Sequence, residues 1–111
     1  MKKSDKKIDN QIRESLTDVC DVLIEQISGF QWLTHIVNFN AFPQSLKVVC
    51  VFDNEAQLTQ LRLNKEDMFI SQMIVHKLSL QGISISSKQV LFDSEAKCEA
   101  QHNGNWALRL K

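Results

Sequence analysis

The chain has 111 residues, 43% of them apolar, with six Phe and two Trp. That is enough for one hydrophobic core and too little for a second domain of ordinary size. Formal net charge is zero, yet Lys2, Lys3, Lys6 and Lys7 hold four of the 13 basic residues. Residues 1–7 are therefore expected to be a disordered basic tail before a single domain over 8–111. From Ile8 onward nine basic residues stand against twelve acidic ones, so nucleic acid is not an expected partner.

Cys20, Cys50 and Cys98 are an odd, widely spaced set, each inside an apolar pattern. They are expected to be buried thiols in a reducing compartment. The basic start is not followed by a signal-like apolar run, and no window approaches 18 apolar residues. A cytoplasmic protein with no membrane contact is the expectation.

The first element in chain order is a helix. Ile8, Ile12, Leu16, Val19, Leu23, Ile27 and Phe30 recur at steps of three and four, with Glu14, Asp18, Asp21 and Glu25 on the solvated side. Gly29 is its expected stop. The pattern turns extended over residues 31–38, a loop follows around Pro43, and Leu46 to Phe52 is a β-branched run; a short connection makes this an antiparallel hairpin. Residues 55–63 fit neither period, so a short helical turn and an irregular crossover both stay open. A second helix is expected from Lys65 to Gln81, with Asn64 as its cap, Phe69, Ile70, Met73, Ile74 and Leu78 as its buried stripe, and Gly82 as its end.

In the last part Val90, Phe92, Ala96, Cys98 and Ala100 share one parity. Trp106, Leu108 and Leu110 alternate beyond the turn residues His102-Asn103-Gly104. This predicts a second hairpin with a three-residue loop. The expected fold is α+β, a two-layer sandwich in the order α-β-β-α-β-β, with a four-stranded, mainly antiparallel sheet and both helices on one face. Two stretches resemble each other, Val51-Phe52-Asp53-Asn54-Glu55-Ala56 and Leu91-Phe92-Asp93-Ser94-Glu95-Ala96. In this element order they fall out of step for a repeat, and chance similarity is the simpler account.

With helices on one face only, the other face should be polar. The first hairpin is not: Val49 and Val51 oppose Leu46, Val48, Cys50 and Phe52, and Trp32 and Ile36 oppose Leu33 and Val37. Either another part of the chain covers this surplus or it is an association surface. Six such side chains losing about 40 Å² each to an interface would yield about 6 kcal/mol. Association costs of about 4–15 kcal/mol call for a wider contact, one that adds Phe42 or the edge strand.

No motif carries chemistry. His35, His76 and His102 are far apart, the three glycines are isolated, and no cofactor or metal site is indicated. A Cys50–His35 pair across the first hairpin would need an exposed, electropositive setting, whereas Cys50 lies on an apolar strand. Asp53 and Asp93 are ordinary strand terminators. The expected function is thus a non-enzymatic protein-interaction or regulatory module, a homodimer formed through the first hairpin, with Trp32, Ile36, Phe42, Val49 and Val51 as contacts. The alternative is a small-molecule-binding module or minor enzyme. Its pocket would lie between the sheet and the second helix, near Phe69, Met73 and Trp106.

Overall fold

The computed structural model describes residues 2–111. Its first helix, α1 (Lys3–Gln26), takes in most of the stretch set apart above as a tail; Met1 lies outside the described residues. The apolar stripe of α1 buries Ile12, Leu16, Val19 and Leu23. Gly29, at φ +85°, then reverses the chain into the sheet. A Cβ there would collide with the side-chain amide of Gln57. Gly29→Ala is therefore expected to cost about 1–2 kcal/mol, from the left-handed backbone and the displaced glutamine. Chemical denaturation checks this.

β1 (Phe30–Ile36) and β2 (Lys47–Phe52) form the antiparallel hairpin suggested by the sequence, with a register shift at Gln31. Trp32 lies opposite Val51, Leu33 opposite Cys50, Thr34 opposite Val49 and His35 opposite Val48. The loop between the strands is tied to a later segment, because Gln89 Nε2 donates to the Pro43 and Leu46 carbonyls at 3.0 and 2.7 Å.

After β2 the fold departs from expectation. α2 (Glu55–Leu63) is a helix capped by Asn54, whose side chain accepts from the Gln57 N–H at 3.0 Å. Asn64 ends α2 instead of starting the next helix, and Lys65, at φ 58°, links it to α3 (Glu66–Ser79). Gly82 does close α3, and Ile83 folds back to donate to the Leu78 carbonyl at 3.0 Å. β3 (Val90–Ser94) then pairs with β2 in parallel, Val51 opposite Asp93 and Phe52 opposite Ser94. A parallel neighbour requires a long crossover, which α2 and α3 supply.

The expected second hairpin is absent. The same residues form α4 (Glu95–His102) and α5 (Trp106–Arg109), so the order is α1-β1-β2-α2-α3-β3-α4-α5. The sheet is three-stranded and mixed, β1-β2-β3, not four-stranded and mainly antiparallel. Helix propensity and capping explain the difference. Glu95-Ala96-Lys97 and Glu99-Ala100-Gln101 are strong helix formers and poor strand residues. The Ser94 hydroxyl caps α4 by accepting from the Lys97 N–H at 3.1 Å, and Asn105 caps α5 in the same way through Leu108. Of the parity Ala96, Cys98 and Ala100, only Cys98 is buried. The two similar stretches are thus two strand-to-helix junctions, each ending a parallel strand with Phe-Asp, a capping Asn or Ser, then Glu-Ala.

The main core lies between α1, α2 and α3 and one face of the sheet, where Val48, Cys50 and Phe52 meet Ile12, Leu16, Ile70, Ile74 and Leu78. α4 and α5 lie on the opposite face. Val49, Val51 and Cys98 are buried outside the main core, and Trp106 packs edge-on to Trp32 with centroids 4.9 Å apart. Glu95 accepts from both indoles, Trp32 at 2.5 Å and Trp106 at 3.1 Å. Arg109 grips Asp93 through two hydrogen bonds of 2.5 and 2.8 Å. The helices therefore occupy two faces of the sheet, not one. Among the described residues no helix is long and apolar enough to cross a membrane.

Candidate interaction surface at the first hairpin

β1 is an edge strand: β2 lies on one side and, among the described residues, no strand lies on the other. A seven-residue edge carries a row of backbone N–H and C=O groups open to pairing, and such edges invite another chain. β1 carries none of the charged side chains that blunt an edge; its residues are Phe-Gln-Trp-Leu-Thr-His-Ile.

Beside this edge runs an open groove of about 760 Å³. One wall is a stripe of α1, Asp9, Arg13, Leu16, Thr17, Cys20 and Asp21; the other is the run from Leu33 to Val37 with Phe39. No residue of α3 contributes, so the groove opens on the side of the free strand. Its lining is apolar at Leu16 and Leu33 and polar where Asp9, Arg13 and His35 meet.

There Asp9, only 8% exposed, meets His35 Nε2 at 2.8 Å and Arg13 Nε at 2.9 Å. An Asp on the apolar stripe of a helix would be costly unless paired, and these two partners supply the pairing. The hydrogen bond with His35 holds the Asp9 carboxyl below its ordinary value of 3.8; burial opposes this, and the charges of His35 and Arg13 reinforce it. A carboxyl depressed in the fold stabilises above the pKa of the unfolded chain, and that contribution is lost as pH falls through its folded pKa. Asp9→Asn is thus expected to lose about 1–2 kcal/mol at neutral pH. The difference from the parent should shrink as pH falls through the lowered folded pKa of Asp9. Urea unfolding along a pH series checks both.

The five expected contact residues are divided by the fold. Trp32, Ile36, Val49 and Val51 do share the outer face, as their parity requires, but Val49 and Val51 are 2% and 0% exposed beneath the last two helices. Trp32 is half-buried against Trp106, and Ile36 is exposed at the end of β1. Phe42 is on the other side, packed on the main core and tilted against Phe39 at 5.8 Å. The three pocket candidates are not brought together. Phe69 is exposed on α3, Met73 packs on the core, and Trp106 lies across the sheet from both.

The cysteine–histidine pair does not form a reactive couple. Cys50 is buried, which pushes its thiol up to about 12, with Cys20 adding to the shift. His35 Nε2 is committed to Asp9. Burial also raises the thiols of Cys20 and Cys98. Asp93 serves structure: burial would raise its carboxyl, but hydrogen bonds from Arg109 and the Ser94 amide bring it below 3.8. Among the described residues no three His, Cys, Asp or Glu side chains are placed to hold a metal ion.

The groove lining was missed in the sequence because Asp9 and Arg13 lie among the apolar positions of α1 and were given no role. Their i,i+4 spacing was the available signal, since such pairs lie on one side of a helix. The Glu95 and Arg109 anchors were missed because both residues were assigned to strands. No family model, curated protein or solved structure matches this chain.

Proposed function

We propose that this chain is a non-enzymatic protein-interaction module that self-associates through the first hairpin. The observation that carries the proposal is the open edge of β1, seven residues long, free of Lys, Arg, Asp and Glu, and bordered by the α1 groove. The contact is the strand edge, with Trp32 and Ile36 at its outer face. Val49 and Val51, which the last helices cover, lie behind it. Addition of a strand to such an edge supplies backbone hydrogen bonds, and the groove supplies side-chain contacts. The state of the histidine and thiol groups near the hairpin favours binding over catalysis. Three free thiols, two of them buried, fit a reducing, cytoplasmic setting.

Light scattering across micromolar concentrations tests the proposal. The parent is expected to gain mass with concentration. Thr34→Lys, which places a charge on the half-buried edge, is expected to weaken association about tenfold or more while leaving the circular dichroism spectrum unchanged. A parent that stays monomeric, or a lysine variant that associates as well as the parent, contradicts it.

A further inference from the structure

The dipole of a helix favours acidic side chains at its start and basic ones at its end. α1 is charged the other way. Lys3, Lys6 and Lys7 outnumber Asp5 in its first turns, and its last turn has no basic residue. The half from Ser15 to Gln26 carries Asp18, Asp21 and Glu25 and no cation. Within the described residues Asp18 pairs with Lys77 of α3 at 3.1 Å, while Asp21 and Glu25 form no ion pair. The ordering opposes the helix that carries it, but it suits a second copy of the same helix laid antiparallel alongside, basic start against acidic end.

The groove stripe sharpens this. Arg13, Thr17 and Asp21 are spaced four residues apart on one line of α1 and all face the groove beside β1. We infer that the occupant of the open β1 edge is a second copy of this chain, related by a two-fold axis beside Thr17 that sets the α1 helices antiparallel. In such an isologous contact, residues equally far before and after the axis meet across it. Arg13 then faces the partner's Asp21, and Asp21 the partner's Arg13, so one ion pair is made twice.

The strand agrees with that axis. The contact between Asp9 and His35 fixes α1 against β1, which runs back the other way. Eight helical residues from Asp9 to Thr17 cover about 12 Å. About three or four strand residues back from His35 cover the same distance and end at Trp32 or Gln31, in the first half of β1. One axis therefore serves the helix pair and a β1–β1 ladder together, joining two three-stranded sheets into one.

This inference rests on the self-association proposed above and adds its geometry. Sedimentation equilibrium of the full chain, Asp21→Arg, Arg13→Glu and the double variant tests it. Each single change sets like charges opposite one another twice per dimer and is expected to weaken association about tenfold. The double variant exchanges the charges and is expected to return to within about threefold of the parent. Asp21 is exposed, so Asp21→Arg should leave the thermal melt of the monomer unchanged; Arg13 also bridges to Asp9, which is why rescue in the double variant is the deciding comparison. A parent that associates but ignores Asp21→Arg, or a double variant as weak as the singles, overturns the two-fold register and leaves the open-edge proposal standing. A parent that remains monomeric removes both.

Discussion

Phe52→Ala is expected to remove about 3–5 kcal/mol of stability, the range for deleting a fully buried phenylalanine. Phe52 is 0% exposed at the end of the central strand and packs edge-on against Phe30, with ring centroids 5.7 Å apart. It sits where β2 hands over to α2 and beside the end of β3, so little of the surrounding structure can collapse into the void. For a domain whose total stability is about 5–15 kcal/mol, this is about a fifth or more of what holds it folded. The melting temperature should fall by about 4 °C or more for each kcal/mol. Phe69→Ala is the internal comparison. Phe69 is 47% exposed on α3, and its removal should cost about 0.5–1 kcal/mol. Equal losses for the two would contradict the assigned core.

The second large effect is expected at Arg109. Its guanidinium makes two hydrogen bonds to Asp93, a third to Gln101 Oε1 at 2.7 Å, and lies 5.9 Å from the Trp106 ring centre. The side chains of Arg109 and Asp93 are 12% and 18% exposed, so solvent weakens the pair without dissolving it. Arg109→Ala would leave Asp93 half-buried and unpaired, at a cost of about 2–3 kcal/mol. The loss should be local first. α5 is four residues long and cannot hold itself without its docking contacts. Releasing it uncovers Val49, Val51 and Trp32, so tryptophan emission should shift to the red at denaturant concentrations below the main unfolding transition. A single transition for Arg109→Ala, with the emission of the parent before it, would contradict the docking role given to this arginine.

How far the fold was legible depended on local signals. α1, the first hairpin and the closure of α3 at Gly82 carried strong signals, an unbroken apolar stripe, a β-branched run and a glycine in the right place. The last seventeen residues failed for a physical reason. Small residues on alternate positions, Ala96, Cys98 and Ala100, satisfy a strand period and equally fit a short helix whose one buried residue is Cys98. Parity outweighed propensity and the capping residues Ser94 and Asn105, which pointed to helices. That single choice also set the wrong strand number and pairing, because β3 pairs with β2 in parallel and not with a hairpin partner. The apolar surplus on the first hairpin was correctly located, and the structure shows its cover: Trp106, Cys98 and the Glu95 and Arg109 anchors. The open edge was not visible, since strand order is a property of the assembled sheet. Asp9 was legible only in part; an acid on a buried stripe signals a partner but does not name His35.

The proposed surface through which copies of this chain meet is β1. Amide hydrogen exchange followed from low to high micromolar concentration tests it most directly, because an edge amide is protected only when another strand pairs with it. Protection over Phe30–Ile36 is expected to rise with concentration, together with the groove side of α1, while β3 and the docking helices keep constant rates. Exchange in β1 that is independent of concentration, or protection that rises instead over β3, would contradict the account.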